Sequence, residues 1–489
     1  MIGSAVVRRL SPLAPTLTLL TLLVAAPARA QVTPLAPRTI AVGDFQLEPL
    51  AEMRARVQYR REPEDLGGWQ EAHGALHVQE YVRNAWIADS RARLGLGAER
   101  GPVRLQITLQ DARVFGSRRD ASTTAYEAWI EARTSAARPS FLRLGRQAVR
   151  WGEGRLLGAA DWSPRGRSLD AIRGRLRVGK VGAELLGAVL DAPSPAGPAY
   201  GAAAGPPSSG TELAGARLEA EIDPWIHLEL YALARVARSG DLSYRSTFAN
   251  ARAAGELYTG ALRLSGEGRG LSYGVEGAYQ MGSASRLAGP VGLTAGAADV
   301  AAWAAYAHVS RRFDEIALSP TLRLGGAYAT GEDGGSTYRA FDPILPDPFV
   351  AHGMMDLFAW SNVVEANARL AVAPFTDAEL AVDYRYLRLA ESAGEWLGGY
   401  LTPMGRLAGA LPPAPASSET ELGHEIDASF RWEPWPVVDV LLAYSIFARG
   451  PAARAALATS LRGSFDASGA VTTEPLSHQG LLSVRARLF

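Results

Sequence analysis

Arg173, Arg175 and Arg177 occupy alternate positions of the run 172–178, with Ile172, Gly174, Leu176 and Val178 between them. Side chains along a strand alternate faces with period two. As a strand, the run therefore sets three guanidiniums on one side and a narrow apolar strip on the other. A guanidinium fork grips a carboxylate through two parallel hydrogen bonds, and rings of arginine in a pore favour anions. Facing Arg and Glu on neighbouring strands can also pair across a sheet and hold a wall together. The chemistry on offer is the recognition of anions.

Such a run needs strands with two different solvents on their two faces, and the rest of the chain supplies them. The chain turns at Gly179-Lys180 and returns through Val181, Ala183 and Leu185. Val103, Leu105, Ile107 and Leu109 alternate without error with Arg104, Gln106, Thr108 and Gln110. Ala51 to Tyr59, Leu218 to Tyr231, Val364 to Arg385, Ile426 to Trp432 and Leu482 to Leu488 repeat the dyad. Strict alternation marks half-exposed strands. No amphipathic helix is legible that would cover their apolar faces. Apolar outside and charged inside describes an all-β fold, a single antiparallel transmembrane β-barrel around a polar channel.

About eighteen strands are legible. Connections after the even ones are short, whereas most after the odd ones are long, near 61–78, 191–211, 238–256, 282–298, 331–353, 390–421 and 449–476. That alternation is expected of periplasmic turns and extracellular loops. On this register the channel-side residues include Arg91, Arg93, Arg104, Glu127, Arg173, Arg175, Arg177, Arg323, Arg369, Arg385 and Arg431, and arginines outnumber acids. Removing Arg173, Arg175 and Arg177 is expected to lower anion selectivity.

Composition narrows the alternatives. Residues 1–30 carry Arg8 and Arg9, an apolar centre and Ala28-Arg29-Ala30, which reads as a cleaved secretory signal. Cleavage would remove Arg8, Arg9 and Arg29 and no acid, leaving 47 basic and 50 acidic residues. Residues 31–46 read as a periplasmic lead and 47–489 as the barrel. With no Cys in the chain, thiol nucleophiles and cysteine-held zinc are excluded. No stretch reaches the roughly 18 apolar residues of a spanning helix. Export without cysteine or a spanning helix suits the outer membrane of a Gram-negative bacterium.

Catalysis has no visible apparatus: the seven His show no ligand spacing and no nucleophile stands beside a base. No cofactor or metal is expected, and the 331–335 run reads as a solvated loop. Trp151, Trp162, Trp303, Trp360, Trp432 and Trp435 fall near strand ends, where aromatic girdles meet the membrane interface.

The segment 141–177, FLRLGRQAVRWGEGRLLGAADWSPRGRSLDAIRGRLR, resembles the alginate-export family of outer-membrane barrels. Supporting segments are FDPILP at 341–346, MDLF at 355–358, DYRYLRLA at 383–390 and GHEID at 423–427. The resemblance runs in order over roughly 51–450. It implies an eighteen-stranded barrel with an electropositive channel through which an anionic polysaccharide leaves the cell. The implied constriction falls on Arg91, Arg93, Arg104, Arg146, Arg173 and Arg175, with Glu127 and Asp161 as acidic neighbours. The expected partners are outer-membrane lipid, a polysaccharide or anionic sugar and periplasmic export proteins docking at the short turns, with no nucleic acid and a monomeric state. The alternative is a diffusion or uptake porin for small anions or oligosaccharides.

Overall fold

A computed structural model describes residues 39–62, 69–73, 76–80, 84–116, 121–135, 139–191, 210–237, 255–288, 293–349, 352–399, 401, 404, 418–459, 464–465, 471–472 and 474–488. Eighteen strands form its wall: β1 (Phe45–Arg61), β2 (Asn84–Arg100), β3 (Val103–Val114), β4 (Ala121–Arg133), β5 (Phe141–Gln147), β6 (Leu169–Val178), β7 (Val181–Asp191), β8 (Thr211–Asp223) and β9 (Ile226–Ala237). They continue as β10 (Gly255–Gly268), β11 (Leu271–Ala288), β12 (Leu293–Arg312), β13 (Thr321–Ala329), β14 (Val363–Val372), β15 (Ala378–Arg388), β16 (Glu421–Trp435), β17 (Val438–Arg449) and β18 (Leu476–Arg487).

Each strand pairs antiparallel with its sequence neighbours, and β1 pairs with β18 from Glu52↔Arg487 to Arg61↔His478. Closure leaves no edge, so the ladder satisfies the backbone groups that lipid cannot. The dyad sets the faces. On β3, Leu105, Ile107 and Leu109 are exposed on the outer surface, whereas Gln106, Thr108 and Gln110 are buried inside. On β1, Met53 and Val57 face outward and Arg54, Arg56 and Gln58 face in. Among the described residues the apolar strips meet no second protein layer, and lipid is the solvent that such a surface needs.

Turns of two residues join β2 to β3, β6 to β7, β8 to β9, β10 to β11 and β16 to β17. The start of β1 and the end of β18 lie at this same end, the periplasmic one. The long connections stand at the other. Two of these, 148–168 and the described parts of the next (330–349 and 352–362), fold back into the bore and meet wall residues on both sides. Their Trp151, Leu156, Leu157, Phe341, Ile344, Leu345, Phe358 and Trp360 build one apolar cluster with wall residues such as Leu213, Leu233 and Phe447.

Several expectations are corrected here. In the stretch 282–298, expected as a loop, 282–288 continues β11 and 293–298 belongs to β12, with Gly282 opposite Val300 and Ala288 opposite Leu293. Its run of Gly, Ala and Ser has too little side-chain contrast to show a period. A helix, α1 (Pro451–Thr459), stands at the outer mouth, where Ala452, Ala453 and Ala456 pack it on the interior apolar cluster rather than on the outer strips. Trp151 and Trp360 belong to no girdle: both are buried within the barrel, Trp151 giving its indole N–H to Glu184 at 2.9 Å. Trp303 and Trp435 do face outward. Residues 1–38, 192–209, 238–254 and Phe489 lie outside the described residues, so the signal and the first part of the lead are not placed.

Candidate functional site

Beneath the plug lies a cavity of about 770 Å³. Its lining runs from Glu433, Pro436, Val437, Asp439 and Arg487 at the periplasmic rim to Asp161, Trp162, Asp347 and Phe349 on the underside of the plug. Between these levels β13 to β16 contribute Arg323, Arg369, Arg385, Arg431, Glu379, Asp383 and Asp427. Eight arginines and eight carboxylates line it, so the excess of arginine read along the strands is absent from the cavity.

The arginines of this wall are all engaged. Arg369 bonds Asp383 and Glu379, each at 2.6 Å. Arg385 bonds Asp427 at 2.8 Å and lies 3.5 Å from Glu365 and from Asp383. Arg431, more than half exposed, lies 3.6 Å from Asp439. Arg323 donates to the Tyr306 hydroxyl.

The opposite wall holds the plug. Arg91 bonds the Asp161 carbonyl at 2.7 Å and Glu52 at 2.6 Å, and lies 3.0 Å from the Asp161 carboxylate. Arg93 reaches that carboxylate at 2.9 Å and stacks over Tyr126. Arg485 adds a third guanidinium at 3.7 Å. Arg54 bonds the carbonyls of Asp161 and Ser163, Arg56 that of Trp162 and Gln110 that of Arg165. Asp161, on an irregular loop, is thereby the hub of the basic wall. Burial would raise its carboxyl, but Arg91 and Arg93 outweigh burial and hold it well below the usual carboxylate range.

The plug is two loops acting as one body. Leu157 bridges Leu345, Gly158 N donates to Leu345 O at 2.9 Å, Leu345 N to Leu156 O at 3.0 Å and Asp347 N to Gly154 O at 2.8 Å. Gly158 is required by this approach: a Cβ there would lie 2.5 Å from that of Asp347. Trp162 and Phe349, one from each loop, stack with ring centres 3.6 Å apart. Met354 N, on the far side, donates to Asp427 and Gln479 to the Met354 carbonyl. Desolvation holds Asp347 up against the pull of Arg150 and Arg167, and holds the buried His352 imidazole well below its ordinary range.

The other expected constriction residues are dispersed. Arg173, Arg175 and Arg177 face inward but line another sector of the wall, outside the cavity. There Arg173 bonds Glu184 at 2.8 Å, Arg175 bonds Glu219, and Arg177 bonds Glu219 at 2.7 Å and lies 3.1 Å from Glu221. Arg104 is paired with Glu48 at 2.5 Å, and Glu127 accepts the Ala148 amide at 3.4 Å. Arg146 does not enter the bore. It shares the outward parity of Leu142 and Leu144 and makes an exposed pair with Asp170 at 3.2 Å, because the constriction side of β5 is taken by Arg143. Arg150, Arg155, Arg167 and His352 are the residues that strand periodicity passed over. All but His352 fall within 141–177, the segment that carries the family resemblance. Among the described residues no group of three or more His, Cys, Asp or Glu is placed to hold a metal.

A closed barrel with a lipid-facing apolar band and a charged, loop-plugged lumen defines an outer-membrane channel of Gram-negative type. The family of alginate-export proteins matches residues 47–464, and the chain belongs to that family. Among solved structures it is similar to the outer-membrane protein OprD of Pseudomonas aeruginosa, at 10% identity and TM-score 0.53, covering 91% of this chain and 93% of that one. It is similar also to OccK2 (OpdF) of the same organism, at 13% identity and TM-score 0.52, covering 90% and 97%. Identities this low establish the shared barrel alone. None of the curated proteins matches the chain.

Proposed function

We propose that this barrel is the outer-membrane exit for an anionic exopolysaccharide, which enters from the periplasm and leaves past the displaced plug. One observation carries the reading beyond family membership. The cavity runs from the periplasmic rim to a plug that hydrogen bonds and ion pairs, rather than covalent links, hold against an arginine-rich wall. Its rows of guanidinium and carboxylate supply many weak contacts. A solute that must leave is better served by these than by one deep site.

The second reading is diffusion or uptake of small anions or oligosaccharides. The balanced charge and modest volume of the cavity favour it. The two separate in the cell. Deleting the protein from its native host abolishes surface acidic polysaccharide and leaves it in the periplasm if the first reading holds. Undiminished secretion, with slowed growth on a small anionic substrate, sinks it in favour of the second.

A further inference from the structure

We propose that the plug is self-seated: Asp161 occupies a carboxylate seat formed by Arg91, Arg93 and Arg485, and a carboxylate of the arriving polymer opens the bore by taking its place. The inference rests on the export reading, since it names the group on the saccharide that releases the plug.

The seat is built from the wall, and its occupant comes from the loop. Arg91 is fully buried and Arg93 nearly so, each aimed at the Asp161 carboxylate. The Asp161 side chain is 40% exposed and lines the cavity that opens towards the periplasm. A ligand can therefore approach the occupant without first dismantling the wall.

The energetics select the ligand. Withdrawing Asp161 without replacement strands buried guanidiniums beside Glu52 alone, and an uncompensated buried charge is costly. Exchange for another carboxylate preserves the charge balance and the paired hydrogen bonds, because the fork accepts any planar carboxylate. A neutral sugar offers no such exchange. Uronate-type carboxylates, repeated along a chain, would also hold the seat filled while the plug stays displaced.

Single-channel recording in planar bilayers tests this with oligogalacturonate as the acidic probe and maltohexaose as the neutral one, each added on the periplasmic side. The wild type is expected to be mostly closed and to open with the acidic oligomer only. Asp161→Asn keeps the shape but loses the charge, and its open probability without saccharide should rise about tenfold or more, the worth of a charge-assisted contact. Asp161→Glu restores the carboxylate and should restore closure. Wild-type gating in Asp161→Asn, or equal opening by maltohexaose, overturns the proposal. If Asp161→Asn opens the pore while host secretion proceeds without this protein, the seat stands and the export reading fails. If secretion depends on the protein but its gating ignores Asp161, the reverse holds.

Discussion

Arg167 and Leu345 sit on different loops, and one guanidinium nitrogen of Arg167 donates to the Leu345 carbonyl at 2.7 Å. The same nitrogen reaches the carbonyls of Pro346 at 2.9 Å and Gly158 at 3.0 Å. A single cation thus clasps the two halves of the plug. Replacing it by alanine removes the charged donor shared by three carbonyls, of which that of Leu345 still accepts from the Gly158 amide, at a cost of about 3 kcal/mol. Arg167→Ala should therefore speed hydrogen exchange at the Gly158, Leu345 and Asp347 amides by roughly a hundredfold. Exchange within β1 and β2 should stay unchanged. Equal protection in the variant would show that the backbone bridge suffices without the clasp.

The wall was legible in the sequence and the plug was not, for one physical reason. Val103 to Gln110 declares its two faces because lipid and lumen impose opposite polarity on alternate residues. Nothing imposes a period on 148–168 or on the described parts of 330–362, which are irregular loops held by an apolar cluster and a backbone bridge. Trp151 and Trp360 accordingly look like girdle residues by position, although they are buried inside. Arg146 is a pore residue only by family resemblance. Its neighbour Arg143 takes the inward position and leaves Arg146 beside Asp170. What sequence did carry for the plug was resemblance, in the stretches 141–177 and 341–346 that supply both of its halves.

The lipid face can be tested at Leu185, midway along β7 and 66% exposed. An arginine there meets hydrocarbon with no partner, at a cost of about 2–4 kcal/mol near the bilayer midplane. Leu185→Arg should lower the unfolding free energy by that amount in lipid vesicles, measured by urea titration. A change within error would mean that this position meets water or protein.

Selectivity should reside in the cavity rather than on β6. Arg173, Arg175 and Arg177 neutralise the buried Glu184 and Glu219 and do not line the cavity. Changing the three to Ala should destabilise the wall by less than the about 3–5 kcal/mol of a fully orphaned buried charge, because Arg217 still lies 3.3 Å from Glu184 and 3.1 Å from Glu219. The reversal potential under a salt gradient should hardly move. Arg369, Arg431 and Arg487 do line the cavity, so their triple change to Gln should shift that potential towards cation selectivity. The opposite pattern would return the selectivity filter to β6.

Acid should loosen the plug through His352. The imidazole is buried, its Nδ1 without a hydrogen-bond partner among the described residues, and desolvation together with Arg155 and Arg385 keeps it neutral. On a released loop it would titrate near the ordinary value of about 6.5. Above that pH both states are neutral and the residue contributes nothing to the balance. Below it the released loop binds a proton that the seated loop refuses, so each unit of pH favours release by up to about tenfold. Open probability recorded between about pH 8 and 5 should rise below 6.5 in the wild type. His352→Phe keeps a ring against Phe358 but binds no proton, and it should flatten this rise. An identical profile in His352→Phe would assign the acid response to the carboxylates of the wall instead.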